Sequence, residues 1–437
     1  MEFYGREEEI KTLNRIRKQS HDTATFTVMI GRRRVGKTAL VTRALQDEGK
    51  VIYLFVKRTS EALLCDEFRV KIEELLGKMF WGQVTKLKDL FEYLFLRAEQ
   101  ENFSVIIDEF QDFEYVNPSF CSELQYLWDM HHQRAKINLV VCGSIYSMMV
   151  RMFESYKEPL FGRMTNRIHL RPFSIKTIKE ILANHNPYYT AEDLLCLFAI
   201  SGGVPLYISL LMDTGATSRD AMLDAVCSPG SRFLTEGRDM LIGEFGKTYS
   251  TYFGILQLIA NGMTSQKEID SIVGKNCGPY LQTLETEYSL IRRNLPIGSK
   301  PGTRNIKWQL NDNFLLFWFR FIFPNASFIE TGKMNLLRES IESGYSQFCG
   351  LMLERYFRQK ILEETEATTV GSWWDRKGEN EIDLVAISSI KKWIRIAEIK
   401  LNRDKIDMTV LREKVSAMRK TLPRYPVELL ALSMDEI

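Results

Sequence analysis

Thr25-Phe-Thr-Val-Met-Ile30-Gly31-Arg-Arg-Arg-Val35-Gly36-Lys37-Thr38-Ala39 is the stretch on which the fold turns. Six residues rich in apolar and β-branched side chains read as a buried strand. A Gly-rich turn follows, and a helix opens at Lys37. The turn satisfies GxxxxGK[ST] at every required position and lies in the strand-turn-helix setting that the pattern demands. Its glycines let backbone N–H groups face phosphate oxygens, and the helix N-terminus adds positive potential. Gly31, Arg34, Val35, Gly36, Lys37, Thr38 and Ala39 are therefore expected to contact a nucleotide triphosphate. Lys37 would reach the β- and γ-phosphates, and the Thr38 hydroxyl would ligate Mg²⁺. The expected ligand is ATP with magnesium. The side chains of Arg32–Arg34 stand either toward phosphate or simply in solvent.

Outward from this loop, short β-branched runs alternate with helical pattern. Val51–Val56, Phe103–Ile107 and Ile137–Cys142 read as further strands, the signature of an α/β parallel sheet with crossover helices. The third strand ends in a carboxylate pair, Asp108-Glu109. Asp108 would hold Mg²⁺ and Glu109 would polarise the attacking water. The next strand ends Cys142-Gly143-Ser144. Ser144 is expected to sense the γ-phosphate, with an ordinary strand-ending turn as the alternative. Arg163 and Arg167 are the candidates for an arginine finger, in cis or from a neighbouring copy in a homo-oligomer. The commoner fate of such arginines is a solvated surface.

The chain at this point resembles the archaeal-type ATPase family of the STAND/AAA+ branch of P-loop NTPases. The resemblance rests on Tyr4-Gly5-Arg6-Glu7 with Glu9, on the Gly31–Thr38 loop, and on Ile107-Asp-Glu-Phe-Gln111. Gly143-Ser144, Pro159-Leu-Phe-Gly-Arg163 and Gly202-Gly-Val-Pro205-Leu-Tyr complete it. It implies that Tyr4, Gly5 and Arg6 lie near the adenine, and that Pro205 sits in a helical lid facing the nucleotide. The sequence itself shows only a loop at Gly202-Gly203 before a helix with proline in its first turn.

The strand signals fade over 171–245, where Ile175–Ala183, Ala191–Ile200 and Pro205–Met212 read as helices. After them, Thr264-Ser-Gln-Lys-Glu-Ile opens a capped helix, and Cys277–Glu287 reads as a second. Strand-like runs Leu290–Arg293 and Asn305–Gln309 flank a turn at Pro296–Gly302. This resembles the winged helix-turn-helix of the same family. Lys267, Lys275, Arg292, Arg293, Lys300, Arg304 and Lys307 give the segment a basic bias suited to DNA phosphates. Glu285 and Glu287 on the would-be recognition helix act against it, and packing between domains is the competing role. The stretch Phe314–Phe323 reads as a core helix.

From about 340 a helix (Tyr345–Glu363), three strand runs (Thr368–Trp374, Glu381–Ile387, Trp393–Ile399), a helix (Met408–Arg419) and a last strand (Val427–Leu432) form another unit. Glu398 and Lys400 are two apart on a strand and share a face. Asp383 joins them if the neighbouring strands pair, and Glu354 on the preceding helix can supply a further acid. Carboxylates so gathered would bind Mg²⁺ or Mn²⁺ and activate water against a phosphodiester. The metal set is then Glu354, Asp383 and Glu398, with Asp383, Glu398 and Lys400 catalytic. The pattern resembles the PD-(D/E)XK restriction-endonuclease-like fold, although Ile382 precedes Asp383 where the family's proline would stand. The bland alternative is an exposed hairpin with ordinary charges.

The expected domains are a P-loop ATPase core over 1–170, a lid over 171–245, a winged helix over 246–335 and a nuclease-like domain over 336–437. Composition excludes little: net charge is only +2 on 437 residues, so no global field announces nucleic acid. Seven scattered cysteines without paired spacing read as buried thiols of a reducing, cytoplasmic setting. No run reaches the ~18 apolar residues that span a bilayer. Three functional readings stay open: an ATP-regulated nuclease acting on DNA or RNA, an ATP-dependent DNA-binding regulator, and a nucleotide-controlled signalling switch.

Overall fold

The computed structural model describes residues 2–46, 49–78, 82–245, 249–300, 302–303 and 305–437. Two compact units emerge: Gly5–Arg171, and Pro172–Ile437 together with the first four residues.

In the first unit, β1 (Thr25–Ile30), β2 (Val51–Phe55), β3 (Phe103–Asp108), β4 (Ile137–Cys142) and β5 (Asn166–His169) make one sheet in the order β2-β3-β4-β1-β5. Every pairing is parallel. β1, β3 and β4 are buried along their whole length, as a sheet covered on both faces requires. Parallel strands all end at one edge, so the turn after β1, the acids closing β3 and Gly143-Ser144 after β4 gather there. β5 is a strand that the sequence reading lacks. Its Asn-Arg-Ile-His run buries only Ile168, too little apolar pattern to announce an edge strand.

The second unit opens with five helices, Ile175–His185, Ala191–Ser201, Pro205–Met212, Arg219–Val226 and Phe233–Phe245. Helices Tyr249–Ala260, Gln266–Val273 and Gly278–Thr286 lead into an antiparallel hairpin of β6 (Ile291–Asn294) and β7 (Lys307–Leu310). Ser265 caps its helix reciprocally with Glu268, the arrangement that the Ser-x-x-Glu spacing encodes. The apolar run after Asp312 is helical and buried, with a wide π-type turn at Trp318–Ile322.

A 31-residue helix, Met334–Glu364, then runs into the second sheet. It begins eleven residues before the expected start at Tyr345, and the expected boundary at 335/336 falls in its first turn. β8 (Thr369–Trp374), β9 (Glu381–Ser388), β10 (Trp393–Ile399) and β11 (Val427–Leu432) line up as β11-β10-β9-β8. β8 and β9 are antiparallel, as are β9 and β10. β10 and β11 are parallel, joined over the helix Met408–Met418. Alternation along the central strands sorts their side chains between two cores. Leu384, Ala386, Ala397 and Ile399 pack in the cluster containing the long helix. Val385, Ile387, Ile394 and Ile396 pack with Leu411 and Met418 of the crossover helix. Burying a side chain of this size contributes about 1.5–3 kcal/mol, so two covered faces hold the central strands firmly.

Candidate functional site: a phosphate loop and a carboxylate–lysine cluster

The loop after β1 is shaped by backbone conformations that the sequence fixes. Gly36 has φ +89°, a left-handed geometry that glycine adopts without strain. It stands at the N-cap of the helix Lys37–Leu45 with no side chain over the helix end, which leaves the first amides open to an anion. Arg34 also has positive φ. Val35, Lys37 and Leu40 are buried, and Thr38 and Ala39 are exposed on the first turn.

The Lys37 ammonium donates to the Gly31 carbonyl at 2.7 Å and to that of Arg32 at 3.0 Å. Burial lowers its pKa, and the nearby acids Glu109 and Asp108 work in the opposite direction. A buried cation held only by neutral carbonyls lacks a full countercharge, which suits it to receive a phosphate. The Thr38 hydroxyl donates to Asp108 Oδ2 at 2.6 Å, and the Glu109 amide donates to Asp108 Oδ1 at 3.0 Å. The hydroxyl and carboxylate expected to share one Mg²⁺ are thus already in contact. This hard-oxygen pair beside an ammonium and open amides fits a magnesium-bound triphosphate.

Glu109, itself at φ +56°, accepts from Ser144 Oγ at 2.6 Å and from Gln111 Nε2 at 2.6 Å. The acid assigned to water and the residue assigned to phosphate sensing therefore hold each other. Gly143 makes this approach possible: a Cβ there would lie 2.3 Å from Gln111 Oε1 and 2.4 Å from Met149 Sδ.

The sequence reading missed Tyr53. Its hydroxyl donates to Asp108 Oδ2 at 2.8 Å, and burial followed by this bond raises its pKa. The available signal was a tyrosine on the strand next to β3, on the alternation that faces the loop helix. Arg6 fastens the loop from behind, donating to the carbonyls of Val35 at 3.3 Å and Arg171 at 2.8 Å and to Glu9 at 3.0 Å. Gly5 precedes it at φ +56°. Arg163 pairs with Asp129 at 3.1 Å and Arg167 with Glu154 at 3.0 Å. Both finger candidates are thus in ion pairs within their own unit. In the second unit Tyr4 is buried with its hydroxyl accepting from Asn184, and Pro205 opens its helix at the first turn.

In the second unit, antiparallel pairing of β9 with β10 sets Leu384 opposite Ala397 and brings Asp383 to Lys400, as the hairpin condition required. Asp383 Oδ2 accepts from the Ile399 amide at 2.8 Å and from Lys400 Nζ at 3.4 Å. Glu398 pairs with Lys400 at 2.9 Å and with Lys414 at 3.1 Å. Glu354 pairs with Arg358 at 2.7 Å, and Arg358 also donates to the Asp383 carbonyl at 2.7 Å. Burial pushes Glu354 up to about 7 against the pull of Arg358, and it raises Asp383 as well. Burial opposes the charge on Lys400, but Glu398 and Asp383 outweigh it and raise its pKa.

The expected metal set of Glu354, Asp383 and Glu398 is not gathered as one ligand group. Among the described residues no three His, Cys, Asp or Glu side chains group to hold a metal ion. The physical reason is visible: Arg358, Lys400 and Lys414 occupy these acids instead. Two basic residues of the preceding segment are also engaged. Lys307 pairs with Glu381 at 2.9 Å, and Arg293 neutralises Glu285 of the would-be recognition helix at 2.7 Å. Arg304 lies outside the described residues.

The loop, the parallel sheet and the strand-end acids define a P-loop ATPase. A family described as an ATPase domain predominantly from Archaea matches residues 3–211. Residues 318–414 match a family described as archaeal and bacterial proteins of unknown function. An uncharacterized protein of Methanocaldococcus jannaschii is 31% identical over 411 residues, spanning 91% of this chain and 87% of that one. The chain belongs to this family of archaeal-type ATPases with a distinct C-terminal domain. General secretion pathway protein A of Aeromonas hydrophila is 25% identical over 211 residues, 44% of this chain and 36% of that protein. A Walker-type ATPase of Pyrococcus abyssi shares the fold with TM-score 0.54 and 16% identity, over 72% of this chain and 96% of that one. No helix among the described residues is long and apolar enough to cross a membrane.

Proposed function

We propose that the chain binds ATP with Mg²⁺ at the Gly31–Thr38 loop, hydrolyses it, and uses the nucleotide state to control a metal-dependent nuclease domain at its C-terminus. The observation that carries the first part is the Thr38–Asp108 contact beside Lys37. Lys37 binds the β- and γ-phosphates when it leaves its loop carbonyls. Thr38 and Asp108 hold Mg²⁺, which neutralises charge on the phosphates. Glu109 accepts the proton of the attacking water, and Ser144 and Gln111 aim its carboxylate.

The second part is supported by the meeting of Asp383, Glu398 and Lys400 on a sheet of helix–strand–strand–strand–helix–strand order. Asp383 and Glu398 would hold Mg²⁺ or Mn²⁺, and Lys400 would orient the water that attacks a phosphodiester. The helices over 264–286 with their hairpin are assigned as a winged helix, and 171–245 as the lid. A panel of DNA and RNA substrates with Mg²⁺ or Mn²⁺, with and without ATP, tests the assignment. Cleavage that survives in Asp383→Ala would sink it.

A second reading rests on the cations around those acids. With Glu354, Asp383 and Glu398 each bonded to Arg or Lys, the C-terminal domain would bind nucleic acid without cutting it. Retained binding with no cleavage under any metal is the result that selects it.

A further inference from the structure

The hairpin β6–β7 has two unlike faces. Ile291, Trp308 and Leu310 are buried on one, and Arg293 lies there over the Trp308 ring, paired with Glu285. Strand alternation sends Arg292 and Asn294, with their partners Gln309 and Lys307, to the opposite face. That face docks on the C-terminal sheet. Asn294 Nδ2 donates to Ser372 Oγ at 3.2 Å, and Lys307 pairs with Glu381. Just beyond β6, the Ile297 amide donates to the Ser372 carbonyl at 2.9 Å. Arg355 of the long helix reaches the Leu310 carbonyl at 2.7 Å and Asn313 at 2.9 Å.

On that face Arg292 stands near enough to Arg355 and Arg358 of the long helix for their charges to act on one another. Among the described residues Glu354 is the one carboxylate paired to any of these three guanidinium groups. Arg355 is buried and bonded to a carbonyl and an amide oxygen, both neutral. Arg292 is solvent-accessible and has no hydrogen-bond or ion-pair partner among the described residues. Partial desolvation, then the charge of Arg358, lowers its pKa, and Arg292 and Arg358 in turn act on Arg355 after burial. Such a gathering of like charge is unfavourable until an anion joins it.

We propose that Arg292 of the hairpin and Arg358 of the long helix form a phosphate-binding site for a nucleic-acid backbone, next to Asp383, Glu398 and Lys400. The proposal rests on the nucleic-acid reading above and adds a contributor to it: the hairpin serves the C-terminal site rather than reading a groove by itself. Phosphodiester oxygens satisfy such guanidinium donors whatever the base sequence, so the assigned contact is to the backbone.

The test is equilibrium binding of the full chain, in chelator, to short labelled duplex DNA, single-stranded DNA and RNA across a salt series. Arg292→Ala is expected to weaken binding roughly five-fold and to lower the salt slope by about one. Arg292→Lys should recover most of the loss. Arg293→Ala removes the same charge from the opposite face and should leave both quantities unchanged, and thermal melts confirm that each variant folds. Equal effects of Arg292→Ala and Arg293→Ala, or no effect of Arg292→Ala on a binding wild type, overturn the site while leaving the nuclease reading intact. A wild type that binds none of the three probes overturns both.

Discussion

The acids after β3 and the acids around Lys400 are held in opposite ways. Asp108 and Glu109 accept from hydroxyls, an amide side chain and a backbone N–H: Thr38, Tyr53, Ser144, Gln111 and the Glu109 amide. Asp383, Glu398 and Glu354 accept from Lys400, Lys414 and Arg358, with a single neutral donor, the Ile399 amide, on Asp383. Neutral donors orient a carboxylate and leave its charge for a cation still to come. Charged donors cancel it in advance. The first arrangement is ready for a metal-bound ligand. The second must exchange partners before it can hold one.

The largest expected effect breaks the first region outright. Lys37→Ala should abolish nucleotide binding in titration calorimetry, and ordinary ATP affinity in that variant would remove the basis of the site. Next, Asp383→Ala should eliminate metal-dependent cleavage while ATP turnover by the same preparation stays near wild type. Loss of both activities together would show that the two regions are not separable.

Tyr53→Phe sharpens the contrast more gently. It removes one neutral donor from Asp108 and keeps the ring. The Mg²⁺ concentration for half-maximal ATPase should rise about three- to ten-fold, in line with the ~1 kcal/mol of a neutral hydrogen bond, with kcat at saturating Mg²⁺ nearly preserved. An unchanged Mg²⁺ requirement would reduce Tyr53 to packing.

The smallest effects concern pH, and the two regions should respond with opposite sign. His169 on β5 has its pKa lowered by partial desolvation of its ring and then by Arg171. The unfolded chain therefore binds its proton more readily, and stability rises with pH up to the ordinary histidine range. Glu354, raised to about 7 by burial, holds a proton more readily folded than unfolded. Its contribution is present at low pH and fades as pH climbs from the ordinary carboxylate range toward 7. Hydrogen exchange in chelator should show the sheet containing β5 loosening on acidification and the long helix loosening on alkalinisation. Glu354→Gln should flatten the second response, and parallel trends in both regions would contradict the assignment.

Much of this was legible in the sequence. The phosphate loop carries its own context, and β9, β10 and β11 announce themselves by short apolar runs between turn residues. Asp383, Glu398 and Lys400 followed from strand periodicity once pairing was assumed. What stayed hidden depends on tertiary partners. β5 has one buried apolar residue, so only its hydrogen bonds to β1 make it a strand. The expected helix start at Tyr345 leaves Gly344 just outside. Inside the longer helix it makes room for the Phe321 ring, whose Cε1 would lie 2.9 Å from an added Cβ. Tyr53 and Lys414 reach their acids across strands and helices that no local pattern connects; Arg358 sits one helical turn from Glu354, and only its bond to the Asp383 carbonyl depends on the fold.

The Met334–Glu364 helix is about 46 Å long at 1.5 Å per residue. Near its start Arg338 grips Asp220 and Asp224 at 3.1 Å each. Near its end Glu354, Arg355 and Arg358 border the C-terminal acids. A single uninterrupted rod between those points acts as a lever arm. A small swing of the Arg219–Val226 helix would be delivered to Glu354 as a displacement of the whole rod, rather than dissipated along a chain of flexible joints.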